Sequence, residues 1–460
     1  MKVEIIEKMK NIVGVDWVVT ELSRMQSYLS DETEHLLKPK ANEDCIVVKP
    51  SSAQEISGIM KYANQEKIPV VPRGGGTGLC GAAIPTHSSI VMSLERLNQY
   101  VELDDKNLMV TVDSGFTLAQ LNEELNKQKN LFFPIHPGDE GAQIGGMVAE
   151  NAGGVSAVKH GIMRNHVKGL EVVLPTGEIV NFGGKLIKDN MGYDMLHMMI
   201  GSEGTLGIIT KVILKLYAKE NHRGTLLISF DTGEDAAAVV PKILQRGITP
   251  LAMEYMERYV VEKAAEHLGL TWPAKKGSVD LMFILEETTE DELYAKSEII
   301  VEMCEKHHAV DSMIAETAKE QRNILEIRSN AYTAFKEEIA DALDMAVAPA
   351  SVPDLVRDIN TIAKKYNTIS PVVGHIGDGN THNFIMLVNG EKPSYLDEMR
   401  QEMYEAAIKY GGTVTAEHGT GKTRKKHMNL QFSDREIEIM KGIKKAFDPN
   451  GILNPGTIID

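Results

Sequence analysis

The chain is short of cysteine, of tryptophan and of positive charge: among its 460 residues three are cysteine and two tryptophan, and 49 Lys and Arg face 65 Asp and Glu. Cys45, Cys80 and Cys304 lie far apart and include no CxxC pair, which argues against a disulfide framework or a cysteine-ligated iron–sulfur cluster and fits a reducing, cytoplasmic setting. The formal net charge of −16 argues against nucleic acid or anionic lipid as the main partner. No apolar run approaches the roughly 18 residues that cross a bilayer, and MKVEIIEKMK interleaves charges with apolar residues, unlike a signal peptide. Low-complexity tracts and repeats of fixed period are absent too. What is present is 43% hydrophobic and 25% charged residues, an ordinary folded chain of two or three domains.

Apolar runs of strand length alternate with helical patterns almost from end to end, which reads as α/β or α+β. Residues 1–40 read as helical and charged; a helix follows near 53–66 and a strand over 68–73. Between 90 and 215, SIVMSL, LMVTVDSG, GLEVVLPTG and GIITKVILKLYA read as strands joined by loops dense in Gly and Asn. From about 219 the glycine content falls: RGTLLISF, AMEYME, VDLMFILEE, DMAVAPAS, ISPVVGHIGDG and HNFIMLVN alternate with helices near 232–246, 290–307 and 317–336. A boundary near 218 follows. An amphipathic helix at 434–447 and an irregular tail, DPNGILNPGTIID, close the chain.

Two motif matches fail on context. Gly76, Gly78 and Gly81 spell GxGxxG after a strand, with Glu95 in the place of a ribose-binding acid, but Pro85 interrupts the short stretch where the dinucleotide fold needs a helix. AEHGTGKT at 416–423 approximates a P-loop, yet the chain left after it is too short for the strands that would carry the magnesium-binding groups.

Three glycine clusters remain. Pro72-Arg73-Gly74-Gly75-Gly76-Thr77-Gly78 offers consecutive backbone N–H groups to a pyrophosphate, unblocked by side chains. Pro137-Gly138-Asp139-Glu140-Gly141-Ala142-Gln143-Ile144-Gly145-Gly146, with Asn151-Ala152-Gly153-Gly154, could wrap the other side of a large planar ligand; Gly201-Ser202-Glu203-Gly204-Thr205-Leu206-Gly207-Ile208-Ile209 is the third cluster. Any one alone reads as a set of tight turns. Further on, His375 and His382 flank Gly377-Asp378-Gly379, and Glu417 and His418 are adjacent. Two imidazoles and a carboxylate suit Zn²⁺, Fe²⁺ or Mn²⁺, although a histidine beside a turn is more often merely hydrogen-bonded.

Taken in order, VVPRGGGTGLCGAAIP, IGGMVAENAGG, KDNMGYDMLHMMIGSEGTLGIIT, GHIGDGNTH and DPNGILNPG resemble the FAD-linked oxidases of the vanillyl-alcohol-oxidase and p-cresol-methylhydroxylase type. Within these the chain is most similar to the branch of D-lactate dehydrogenases and glycolate oxidase D-subunits. The resemblance implies an α+β fold: a two-part FAD-binding domain over 1–218, a cap domain over 219–420 on an antiparallel sheet flanked by helices, and a segment 421–460 that returns to the flavin. It implies that the three glycine clusters hold FAD and that Asn454 approaches the isoalloxazine. Covalent members carry histidine where this chain has Thr77, so the FAD is expected to be non-covalent.

The resemblance further implies that His375, His382 and Glu417 bind a divalent metal, that His418 is the base, and that Arg328 receives the substrate carboxylate with Tyr332 one turn on. Branch members acting on dicarboxylic hydroxy acids have a lysine before the strand LDMAVAP; its absence favours a monocarboxylate. The expected reaction is oxidation of D-lactate to pyruvate with hydride transfer to flavin. The alternatives are a glycolate or D-2-hydroxyglutarate dehydrogenase, and a non-catalytic FAD relay subunit. Electrons would leave to an electron-transferring flavoprotein or to iron–sulfur subunits. Of the remaining residues, His136, His160, His166 and His197 read as satisfying loop backbone, His87 and His427 as surface, and Met191, Met195, Met198 and Met199 as core filler.

Overall fold

The computed structural model describes residues 1–128, 130–220, 222–315 and 317–459. Its first unit grows around the helix Ala53–Glu66, opened by Ser52, whose hydroxyl accepts from the Glu55 N–H. Ile56, Ile59, Met60 and Ala63 recur at helical spacing on one buried face. They pack on a four-stranded sheet ordered Val18–Val19, Ile46–Val48, Ile90–Ser93 and Val70–Arg73, in which the last three strands are parallel. Buried strands of this kind read as unbroken apolar runs, as Ile46-Val47-Val48 does.

A second sheet has five strands, ordered Tyr100–Asp104, Met109–Asp113, Ile208–Lys215, Val167–Val173 and Ile179–Gly183, all antiparallel. Val173 and Ile208 extend into the core of the first sheet, so the two share apolar packing. The third sheet has seven antiparallel strands: Ala309–Ala315, His222–Phe230, Val279–Glu287, Ala252–Glu257, Val372–Gly374, Asn380–Met386 and Ile339–Ala346. Met253, Tyr255, Leu343, Met345 and Ile385 face one core with the helices Gly233–Gln245, Val352–Lys365 and Leu396–Lys409. Since side chains alternate along a strand, Glu254, Asp344 and His382 face the other way. The fold is the expected mixed α+β type.

The tail returns to the first sheet. Leu453 bridges Val70 in parallel, the Asn454 N–H donates to the Val70 carbonyl (2.8 Å), and Ile452 and Leu453 enter that core.

Three local expectations need correction. Within residues 1–40, the regular α-helix is Val3–Val13, and Leu22–Met25 is a single turn. Gly14 at φ 92° stops the first helix, and Val18–Val19 pairs at the sheet edge instead. The helix expected at 317–336 breaks at Asn330, whose Nδ2 donates to the Glu326 carbonyl in competition with the backbone. Met199 is core, but Met191 lies 93% exposed in a loop with Ile187 and Tyr193.

Candidate active site

A cleft is lined by residues of the first two sheets and by the loop that carries Glu417 and His418. Of the glycine clusters, Pro72, Arg73, Gly74, Gly75, Gly76, Thr77, Gly78, Pro137, Asp139, Gly145, Gly146, Gly153, Glu203, Gly204, Ile208 and Ile209 line it, and Asn454 joins them from the tail. Gly138, Gly141, Ile144, Asn151 and Gly154 lie outside the lining. Ile144 is core, the Asn151 carboxamide oxygen accepts from the Arg164 N–H, and a Cβ on Gly154 would meet the His136 carbonyl at 2.1 Å. The guanidinium of Arg73 also turns away, donating to the carbonyls of Ser27 (2.7 Å) and Ser30 (2.6 Å). Gly76 sits at φ 77°, a left-handed conformation that favours glycine over any residue with a Cβ.

The cleft suits a dinucleotide. At Gly78 and Gly146 an added Cβ would enter open space, and two lining polar atoms, Ser114 Oγ and Gln143 Oε1, are buried with no protein partner. Buried polar atoms without partners are uncommon and point to a polar ligand. Ser114 was not foreseen.

Glu417 and His418 also line the cleft. Glu417 Oε1 stands 3.4 Å from His375 Nε2 and 3.3 Å from His382 Nε2. The His382 ring stacks on His418 at 5.1 Å and 7° and meets His375 edge-on at 5.4 Å. The two neighbours can share the site because Asp344 Oδ2 gathers the N–H groups of Ala416, Glu417 and His418, each at 2.8 Å, together with the Thr415 hydroxyl. Asp344, His382, Glu417 and His418 each offer an atom within 4.8 Å of the others. His375 is not in that group; of Asp344, Oδ2 is taken by those donors and Oδ1 by Asn380 Nδ2 (2.9 Å).

Burial favours the neutral carboxyl of Glu417, but His375 and His382 outweigh it and hold the group well below the usual carboxylate range. Burial lowers His418, only partly opposed by Asp344. Burial would likewise lower His375, but Glu254 and Glu417 push it up to about 10.

Arg328 reaches the site through a residue the sequence did not single out: Glu254 accepts from Arg328 Nε and, at 2.7 Å, from His375 Nδ1. Tyr332 is less central than expected. Its ring packs against Phe384, and its hydroxyl donates to Glu34 of the N-terminal segment. Glu203 accepts from the N–H groups of Thr420 and Gly421 (2.7 Å each), and its carbonyl accepts from Asn454 Nδ2 (2.8 Å). It therefore joins cleft, loop and tail. Among the other histidines, His427 is buried against Tyr404, not at the surface, because strand residue Asp341 draws Arg424 and the short turn after it inward.

A backbone-lined cleft of this shape on this pair of sheets belongs to the FAD-binding oxidoreductases, and comparison with known proteins agrees. The model of the FAD binding domain matches residues 45–183, and that of the FAD linked oxidases, C-terminal domain, matches residues 219–458. The D-lactate dehydrogenase of Archaeoglobus fulgidus is 39% identical over 94% of this chain and 95% of its own. Glycolate oxidase subunit GlcD of Bacillus subtilis is 36% identical over 89% and 88%. Among solved structures, p-cresol methylhydroxylase with substrate bound aligns with a TM-score of 0.79 over 99% of this chain and 96% of that one, at 16% identity, a likeness of fold. The chain belongs to the FAD-linked oxidase family and is a flavoenzyme. No helix among the described residues is long and apolar enough to cross a membrane.

Proposed function

We propose that the chain is an FAD-dependent D-2-hydroxy acid dehydrogenase that oxidises D-lactate to pyruvate. The observation that carries this reading is the convergence of His375 Nε2 and His382 Nε2 on the carboxylate of Glu417, which with His418 lines the cleft. Oxidising a hydroxy acid removes a hydride from carbon and a proton from oxygen. FAD, held without a covalent bond along Pro72–Gly78, the 138–154 segment and the 201–209 segment, supplies the hydride acceptor, and a Zn²⁺, Fe²⁺ or Mn²⁺ ion on His375, His382 and Glu417 supplies charge stabilisation at the hydroxyl oxygen.

The chain's own groups do the rest. Arg328 keeps two guanidinium nitrogens beyond the one given to Glu254, enough to grip a carboxylate in bidentate fashion. His418, kept neutral by burial, accepts the hydroxyl proton, a step contributing about 10²–10⁴-fold. Asp344 holds the 415–418 turn so that ligand and base face the same point. In this reading residues 1–218 bind the flavin, 219–420 form the cap, and 421–460 close on the flavin from the far side. Electrons then pass to a separate partner, an electron-transferring flavoprotein or iron–sulfur subunits, since the chain's three cysteines are each buried and free.

Anaerobic addition of D-lactate, L-lactate, glycolate and D-2-hydroxyglutarate to separate samples of holoenzyme tests the proposal. Bleaching of the oxidised flavin band by D-lactate in preference to the others is expected. Bleaching by glycolate or D-2-hydroxyglutarate alone would move the substrate, and no bleaching by any would favour a relay role.

A further inference from the structure

The strand Ala252–Glu257, AMEYME, buries Ala252 and Met256 on one face and Met253 and Tyr255 on the other. Glu254 belongs to the first face and is 0% exposed, in a place where a strand of this kind carries an apolar side chain. A lone carboxylate there would be costly, and it is tolerated because both oxygens are paired. The two partners are the two residues assigned above to different tasks: Oε1 meets His375 Nδ1 at 2.7 Å, and Oε2 receives Arg328 Nε.

Glu254 takes the Nδ1 side of the His375 ring, which turns Nε2 toward Glu417 at 3.4 Å. The same carboxylate takes Nε of Arg328 and leaves both Nη groups for another anion; Nη2 lies 3.4 Å from His375 Nδ1, two donors held side by side by one acceptor group.

We propose that Glu254 is a positioning residue with two arms, one presenting His375 Nε2 to the cation and the other aiming the Arg328 guanidinium at the substrate carboxylate. The proposal rests on the assignment of His375 to the metal and Arg328 to the substrate. A merely space-filling carboxylate would have no reason to tie these two residues together, and the Asp344 contact to His382 Nδ1, at 3.6 Å, is looser.

The test uses purified holoenzyme with FAD absorbance as the check on folding. Zn²⁺ affinity is measured by competition with a chromophoric chelator, and KM and kcat for D-lactate are measured separately. Glu254→Gln is expected to weaken Zn²⁺ about 10- to 100-fold, as loss of a partner behind a metal-binding histidine does. KM should rise about tenfold or more, as loss of a charge-assisted hydrogen bond requires. Glu254→Asp, which keeps the charge but loses reach, falls between Gln and wild type. Should Glu254→Gln fold poorly because Arg328 is left uncompensated, the double variant Glu254→Gln/Arg328→Gln removes both charges, and its Zn²⁺ affinity still falls through the His375 arm. Glu257→Gln, on the same strand but bonded to the Val372 N–H, moves neither constant. Wild-type Zn²⁺ affinity and KM retained in Glu254→Gln would overturn this proposal alone. A wild-type enzyme whose Zn²⁺ affinity is untouched by His382→Ala would overturn the metal assignment and this proposal with it.

Discussion

At the scale of single residues, Asp344 Oδ2 fixes how Glu417 and His418 are presented. Adjacent residues of an extended chain point to opposite sides; three N–H groups folded around one oxygen make the turn that prevents this. Asp344→Asn replaces that acceptor in part by an amide donor, so flavin reduction by D-lactate should slow about tenfold or more with FAD still bound, read by rapid mixing. Arg328→Lys should raise KM for D-lactate by more than it lowers kcat, since lysine cannot reproduce the planar fork. His375, His382, Glu417, His418 and Arg328 were singled out only through the resemblance, because imidazoles beside a turn and an arginine on a helix read equally as ordinary hydrogen-bonded or solvated residues; the structure brings the first four together and joins Arg328 to them through Glu254. Glu254 and Asp344 were not singled out, because a lone acid in an apolar strand reads the same whether it faces water or a buried partner far away in sequence, such as His375 at a separation of 121.

At the scale of elements, the helices with good caps were the readable ones: the Ser433/Glu436 capping box opens Asp434–Phe447 where the pattern placed it. The segment 26–38 has no such period, yet it straps the two halves together. The Glu32 N–H donates to the Gly78 carbonyl at 3.0 Å, Lys336 pairs with Glu32 at 2.9 Å, and Tyr332 donates to Glu34. Two of its partners, Tyr332 and Lys336, lie 298 and 304 residues away from Glu34 and Glu32, beyond the reach of any local pattern. Burial raises the Glu34 carboxyl above its ordinary range, only partly offset by that phenol. Tyr332→Phe therefore leaves a half-buried carboxylate short of a donor and should lower stability by about 1–3 kcal/mol in chemical denaturation of the holoenzyme.

At the scale of the whole molecule, the order of the glycine clusters and the GHIGDGNTH segment made the fold legible through the family they resemble, whose domain models match the chain. What stayed hidden was how the histidines outside the site are buried. His160, His166 and His427 are pushed down to about 4 by burial, with nearby positive charges adding to it. Their folded pKa lies below the unfolded value of about 6.5, so below that value the unfolded state binds more protons than the folded one. Stability should fall as pH drops from about 6.5 toward 4, seen as a falling thermal midpoint. His166→Phe should flatten part of that slope.

The most direct measurement is rapid anaerobic mixing of D-lactate with wild-type and His418→Ala holoenzyme, both carrying full FAD by absorbance. Flavin reduction slowed by about 10²–10⁴-fold in the variant, with FAD retained, is the predicted result. Reduction at the wild-type rate would contradict His418 as the base and, with it, the assignment of this cluster as the catalytic centre.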